Sequence, residues 1–300
     1  MQSQSIRGQP IKKARLWRAL DDIDLPEKVL RRLGMALSTG QALFLYGDPG
    51  NGKTSVAERI SRAVPSPIFI PKIVIVEGQL IRVFDPMVHT PVESEQNYDP
   101  RWVLCRRPTV IAGGELRLEM LELVYNPHLG ICEAPPQLKA AGGTLLIDDF
   151  GRQFVSPRDL LNRWIVPLER RIDYLSLPDG TKLQVPFDPF IVFSTNLDPL
   201  ELVDEAFLRR IPYKIKLNDP SEEVFRDLMI ANARRLGLEL PPASVDYLIQ
   251  TFYPQRPFRG CHPRDLLSQV LHRQQFLGRP LVVTPAALNE VAQNYFVELT

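Results

Sequence analysis

The sequence predicts an α/β fold, a mainly parallel sheet built around a glycine-rich loop, joined to a smaller all-helical C-terminal domain. Three observations predict it. Short continuous apolar runs at 42–46 (ALFLY), 144–148 (TLLID) and 190–195 (FIVFST) read as strands buried on both faces of a parallel sheet, which leaves no polar side to alternate with. Helical patterns and long crossovers separate these runs, as parallel pairing requires. From Ser221 onward only helix-like segments remain, around 221–236, 242–253, 263–276 and 284–295, punctuated by proline and glycine. The expected organisation is a basic N-terminal segment at 1–20 (Arg7, Lys12, Lys13, Arg15, Arg18), an α/β domain at 21–219 and a helical domain at 220–300.

Along the α/β part, Pro26 opens a helical pattern with Val29, Leu30, Leu33 and Leu37 on one face, and Gly40 stops it. The first strand is followed by a helix from about Lys53 to Ala63. In PIFIPKIVIVEGQLIRVFD, Glu77-Gly78 reads as the turn of a hairpin. The span from Glu77 to Gly143 is longer than one crossover helix needs, so an insertion is expected, with a helix-like stretch after a break at Gly113-Gly114. A second hairpin is expected about Pro178-Asp179-Gly180, flanked by Tyr174, Leu175 and Leu177 on one side and by Leu183 and Val185 on the other.

Composition limits the function classes. With 44% hydrophobic and 24% charged residues the 300-residue chain reads as globular, and 36 basic against 35 acidic residues leave no global field for a dedicated nucleic-acid binder. Cys105, Cys132 and Cys261 are widely spaced and form no disulfide framework or zinc motif. His89, His128, His262 and His272 have no metal-like spacing. The start lacks the apolar core of a signal peptide and no stretch reaches the roughly 18 apolar residues that span a bilayer, so a cytoplasmic location is expected, without membrane insertion.

The chemistry lies in GDPGNGKTS, residues 47–55, which matches GxxxxGK(S/T) between a strand and a helix. Gly47, Asp48, Pro49, Gly50, Asn51, Gly52, Lys53, Thr54 and Ser55 form a loop whose amides can turn inward onto phosphate oxygens, because glycine leaves no Cβ in the way. Lys53 neutralises the β and γ phosphates of ATP, and the Thr54 hydroxyl holds Mg²⁺. GGTLLIDDF, residues 142–150, is an apolar strand ending in two carboxylates. On a strand adjacent to the phosphate loop, Asp148 would join the Mg²⁺ shell and Asp149 would polarise the attacking water.

With these motifs the chain resembles the AAA+ ATPases, from about Asp21 to Leu271. The resemblance implies a P-loop NTPase core with a helical lid. FSTN looks like the family's first sensor, with Asn196 orienting the water. In DEAFLRRI, Arg209 and Arg210 match the arginine finger that reaches a neighbouring subunit's site, with Arg210 favoured by its place before Ile211. GCHPRDLL looks like the second sensor, with Arg264 turned to the γ-phosphate. The chain departs from the family in having Asp149 where glutamate is usual, which sets the carboxylate further back and implies slow hydrolysis, or a neighbour that positions the water.

The insertion, the second hairpin and the wording of GGTLLIDDF and LLNRWIVPLERR resemble the branch of MoxR-type chaperones, magnesium-chelatase motors and enhancer-binding activators. A GAFTGA loop and a helix-turn-helix signal are not evident, so transcription activation is disfavoured. The resemblance implies a homo-oligomer, a hexameric ring or spiral, that remodels a protein client or adaptor. The alternative is a regulatory switch that assembles on a partner or DNA and hydrolyses slowly. Arg106 with Arg107, or Arg170 with Arg171, could meet nucleic-acid phosphates, although the neutral total charge does not favour it. A kinase sharing only the phosphate loop is disfavoured by the sensor and finger motifs.

Overall fold

The computed structural model describes residues 2–9, 11–21, 23, 25–95 and 97–296. In chain order the helices and strands are α1 (Lys13–Ala19), α2 (Glu27–Thr39), β1 (Leu43–Tyr46), α3 (Lys53–Ile60), β2 (Ile68–Pro71), β3 (Ile73–Val76), β4 (Gln79–Arg82) and β5 (Trp102–Cys105). They continue with β6 (Thr109–Ala112), β7 (Val124–Asn126), β8 (Ile131–Glu133), α4 (Pro136–Lys139), β9 (Thr144–Ile147), α5 (Pro157–Arg170), β10 (Ile172–Ser176), β11 (Lys182–Pro186) and β12 (Phe190–Thr195). The last are α6 (Pro199–Leu202), α7 (Glu205–Leu208), β13 (Tyr213–Lys216), α8 (Glu222–Leu236), α9 (Pro242–Phe252), α10 (His262–Phe276) and α11 (Pro285–Tyr295). The chain forms two compact units, Met1–Gly47 with Lys53–Lys216, and Asp48–Gly52 with Leu217–Thr300.

The first unit is built on a five-stranded sheet in the order β13-β1-β12-β9-β6, parallel throughout. Every residue of β9 and β12 is buried, as apolar strands without alternation should be. The core is aromatic: the ring of Phe193 lies 5.1 Å from those of Phe44 and Phe150, and Trp164 of α5 packs 6.2 Å from Phe193. Helix α5 starts cleanly because the Ser156 hydroxyl accepts from Asp159 N at 3.1 Å and Pro157 occupies the first turn.

Three smaller sheets accompany the central one among the described residues, the antiparallel pairs β2–β5 and β10–β11 and a mixed four-stranded sheet in which β4 and β8 run parallel. The predicted Glu77-Gly78 turn joins β3 to β4, and the Pro178-Asp179-Gly180 turn joins β10 to β11. The helix-like stretch expected after Gly114 is not formed. A single 3-10 turn at Leu118–Leu121 is followed by the β7–β8 hairpin, and β8 pairs with β4 in the order β3-β4-β8-β7. Leu116 and Leu121 face the core there, and Glu122 is drawn to Arg163 at 3.0 Å. The long span also holds β6, a strand of the central sheet that the sequence reading did not separate from the insertion. Arg163 further pairs with the fully buried Asp173 at 2.5 Å, so the second hairpin is tied to α5 by charge as well as packing.

The second unit packs α8, α9, α10 and α11 around Phe225, Met229, Leu248, Leu266, Val270 and Leu288. Ser221 and Thr284 cap α8 and α11 through Val224 N and Ala287 N, and Gly237 ends α8 at φ 68°. Phe225, Tyr253 and Phe258 pack with centroids 4.7 to 5.0 Å apart, Tyr253 and Phe258 stacked and Phe225 tilted against both.

The two glycines before β9 differ from an ordinary loop. A Cβ on Gly143 would stand 2.1 Å from the main-chain oxygen of Pro108 and 2.7 Å from its ring, so β6 and β9 come together only over a bare backbone. Gly143→Ala is expected to lower stability by about 3 kcal/mol or to prevent folding. Gly114→Ala, whose Cβ meets only the Arg152 oxygen at 3.8 Å, should change it by less than about 1 kcal/mol. Thermal unfolding of both variants checks the contrast.

Candidate functional site

The strands that carry the sequence motifs end at one edge of the sheet. Tyr46 pairs with Thr195 and Ile147 with Phe193, so Gly47, Asp148 and Asn196 all follow the carboxyl ends of parallel strands. This is where open α/β sheets place ligands. One expectation needs correcting: the carboxylate strand β9 does not adjoin β1, because β12 lies between them. Thr54 nevertheless reaches Asp148, since α3 crosses β12 to pack on β9. The Thr54 hydroxyl donates to Asp148 Oδ2 at 3.1 Å and Oδ1 at 3.2 Å.

Asp148 is rigidly placed. Its amide donates to Ala112 O at 2.9 Å, Gln153 Nε2 donates to its carbonyl at 2.6 Å, and Phe150 N donates to Ser194 O at 2.7 Å. The Thr195 hydroxyl donates to Phe150 O at 2.7 Å, closing the turn against β12. Lys53 begins α3, is 7% exposed, and donates from Nζ to Gly47 O at 2.9 Å. A hydroxyl and a carboxylate within hydrogen-bond reach, both hard oxygen donors, fit the protein share of a Mg²⁺ site whose remaining ligands are phosphate and water.

Asp149 is exposed and takes φ 50°, the left-handed region that short polar side chains tolerate best. Asn196 is half-buried just past β12. Arg209 caps the end of α7 with its side chain exposed. Arg210 is more enclosed: its Nε donates to Glu169 at 2.5 Å and its guanidinium lies 5.7 Å from the Phe207 ring.

The segment Asp48–Gly52 groups with the helical unit. Asn51 is buried, donates to Asp219 Oδ1 at 2.6 Å and accepts from Gly260 N at 3.1 Å. Arg259, which the sequence reading passed over, lies 3.0 Å from Asp48 Oδ2 and also bonds Asp219. Burial works against its charge, but the bonds to the two carboxylates prevail and hold its pKa above the ordinary arginine value. The only sequence sign was an acidic residue inside a phosphate-type loop, which calls for a cation without saying from where. Arg264, in the first turn of α10, is turned onto Asp265 at 2.8 Å.

The arginine pairs proposed for nucleic acid divide. Arg107 is 8% exposed and spends its guanidinium on the carbonyls of Gln4 and Gly142 and on Ser66, while Arg171 bonds Gly40 O. Burial drops the Arg171 pKa to about 10, with Arg7 adding repulsion. Both are structural ties, leaving Arg106 and Arg170 exposed. His89 is likewise structural, accepting from Asp85 N at 2.9 Å and meeting Lys139 O at 2.9 Å. Among the described residues no helix is long and apolar enough to cross a membrane.

A domain of unknown function, DUF8689, matches residues 221–294. No curated protein matches. Among solved structures, NtrX from Brucella abortus in complex with ADP is similar at TM-score 0.56 and 15% identity, over 93% of this chain and 58% of that one. NtrX in complex with ATP gives 0.57 and 14%, over 94% and 64%. The Thermotoga maritima RuvB Holliday junction branch migration motor gives 0.55 and 14%, over 92% and 71%. The chain therefore spans about six tenths of the NtrX chains' length. At these identities the likeness shows the fold, and that fold is the AAA+ one, a parallel five-stranded sheet with helices and a C-terminal helical domain.

Next to Arg259, His262 opens α10 and is held by Tyr253, whose hydroxyl lies 2.9 Å from Nδ1. Burial, reinforced by the Arg259 charge, lowers its pKa from 6.5 to about 4. Between those values the unfolded chain takes up a proton that the folded unit refuses. Stability is therefore full above pH 6.5 and falls as pH drops toward 4, by about 2 to 3 kcal/mol. Denaturant unfolding between pH 4 and 7 should show that loss, and His262→Phe should flatten it.

Proposed function

We propose that the chain is a Mg²⁺-dependent ATPase working as one subunit of a homo-oligomeric AAA+ assembly, coupling ATP binding and hydrolysis to remodelling of a protein complex. The observation that carries this reading is the convergence of Thr54 and Asp148 at the foot of a GxxxxGK(S/T) loop. NtrX crystallised with ATP and with ADP supports it as a relative in fold.

In this reading the amides of residues 47–55 and Lys53 hold the phosphates of ATP. Thr54 and Asp148 hold Mg²⁺, which neutralises charge on the β and γ phosphates. Asp149 accepts the proton of the attacking water, Asn196 orients that water, and Arg264 senses the γ-phosphate. A finger arginine from one subunit stabilises charge in the next. Of the two candidates, Arg209 is exposed and Arg210 is held by Glu169, which supports Arg209 as the reaching residue and Arg210 as its support. A MoxR-like chaperone or motor role is the finer form of the proposal; the client is a protein or adaptor.

The alternative, an ATP-dependent switch assembling on a partner or DNA with slow hydrolysis, is favoured by one observation. Asp149 combines a short side chain with a left-handed backbone, so its carboxylate depends on that local turn for its aim. The oligomeric form decides the matter: a hexameric ring or spiral with client-stimulated turnover supports the motor.

Turnover is expected to vanish in Lys53→Ala, to fall about a hundredfold or more in Asp149→Asn, and to fall about a thousandfold in Arg209→Ala with ATP binding retained. Mixing Asp149→Asn with Arg209→Ala subunits should restore part of the turnover, because some shared sites then receive both groups. Turnover indifferent to Arg209 and Arg210, in a chain that stays monomeric with ATP, would remove the shared-site mechanism.

A further inference from the structure

The first 20 residues hold five cations, Arg7, Lys12, Lys13, Arg15 and Arg18, and no acidic residue, in a chain whose formal net charge is only +1. A basic end is ordinarily a solvated tail, but this one is fixed in place. The Gln4 side chain accepts from Phe69 N at 2.6 Å and donates to Phe69 O at 3.1 Å. Arg107 donates to Gln4 O at 2.8 Å, Ser5 Oγ donates to Asp188 at 2.6 Å, and Arg7 Nε donates to Thr39 O at 3.3 Å. Ile6, Leu16 and Leu20 are buried. Thr39, Arg107 and Asp188 precede β1, β6 and β12, so the segment lies across the amino ends of the parallel strands, the opposite end from Gly47, Asp148 and Asn196.

Helix α1 packs on the 3-10 turn at Ser61–Ala63, which closes the end of α3 away from the phosphate loop. Leu16 and Leu20 take its inner side, and Arg15 and Arg18, three positions apart, share the outer one. Lys12 stands just before the helix and Arg62 in the turn beneath it, and all four cations are exposed. Among the described residues none of the four makes an ion pair or a side-chain hydrogen bond, whereas Lys13 is held by Glu27 at 2.8 Å and lies 4.8 Å from the Trp17 ring. The acids of the adjoining helices α2 and α3 are Glu27, already shared between Lys13 and Arg31, and Glu58; Asp21, Asp22 and Asp24 follow α1 in the sequence.

Four unpaired cations on an ordered backbone fit a polyanion. The face lacks the apolar anchors of a membrane-surface helix, since no large apolar side chain is exposed among the described residues before Met35. Three of the four are arginines, whose planar guanidinium takes phosphate oxygens two at a time. We propose that Lys12, Arg15, Arg18 and Arg62 form a docking surface for the phosphate backbone of a nucleic acid, held by charge and without reading base sequence. The backbone beneath is already ordered, so docking restricts only the four side chains. The surface lies wholly within the α/β unit and does not depend on the nucleotide reading.

The test is fluorescence anisotropy of a labelled DNA duplex of about 30 base pairs, titrated with the full chain without nucleotide between 50 and 200 mM salt. Replacing Arg15, Arg18 and Arg62 together by glutamine is expected to flatten the slope of log affinity against log salt by about 2.7, three contacts at about 0.9 each, so that affinity falls about 40-fold less over that range. The corresponding triple lysine variant should keep the slope, because a point charge still displaces a counterion. Arg158→Gln, Arg234→Gln and Arg279→Gln combined, the same loss of charge at exposed positions elsewhere, should leave duplex binding within about twofold. An equal loss in that control, or no duplex binding by the unmodified chain at the lowest salt, overturns the proposal. Phosphatidylserine vesicles or polyglutamate bound as tightly as the duplex would overturn it too. Lys53→Ala should bind the duplex as the unmodified chain does, so failure of the nucleotide reading leaves this surface standing.

Discussion

The α/β unit depends on one constraint, the placement of β12 between β1 and β9. A phosphate-type loop leaves β1 and a carboxylate pair leaves β9, two strand widths apart, so no direct continuation of the loop brings them together. The helix does it. By crossing β12 to lie on β9, α3 carries Thr54 to Asp148, and main-chain bonds from β6 and β12 hold the turn that follows Ile147. The intervening strand is not a spacer, because its own tip supplies Thr195 to brace Phe150 and then Asn196. Positions at three strand ends are thus coupled through hydrogen bonds that stay in register, in a core where aromatic rings leave little freedom to slide.

Charge is handled locally. The chain is close to neutral, with a formal net charge of +1, yet several largely enclosed arginines are tied to particular partners. Arg163 takes Asp173 and Glu122, Arg107 takes main-chain carbonyls, and Arg259 takes Asp48 and Asp219. Removing one partner from such a contact leaves the other charge without compensation in a poorly hydrated place, which costs more than the contact contributes. These arginines therefore read as architecture, and the exposed Arg209 stands apart from them.

The small sheets fill most of the stretch between β2 and β9, where the described helical structure is limited to the 3-10 turn at Leu118–Leu121 and the four-residue α4. Residues of β3, β4 and β8 alternate, with Val74, Val76, Ile81 and Cys132 packed inward on a core that also takes Leu175 and Leu177. The opposite face leaves Ile73, Ile75 and Val124 exposed around the Arg82–Glu133 pair. Burial raises the Cys105 thiol to about 11, so that cysteine serves as a small apolar residue.

By itself the sequence determined what is local. The apolar runs 42–46, 144–148 and 190–195, the loop 47–55, both hairpin turns and the four C-terminal helices were legible because each is specified by neighbours along the chain: continuous hydrophobicity, glycines, caps and helical spacing. The stretch after Gly114 misled, since Leu118 and Leu121 keep a helical i, i+3 spacing while the burial of Leu116 and Leu121 is set by a core assembled from distant segments. Tertiary structure alone decided the strand order, the membership of β6 in the main sheet, and the need for a bare glycine at 143 against Pro108. It also decided which arginine meets Asp48 and which of Arg106 and Arg107 or Arg170 and Arg171 face inward. Those are questions of which groups meet across long separations in the chain, and no local pattern encodes them; a charge or a donor acquires its role only when the fold brings its partner within reach.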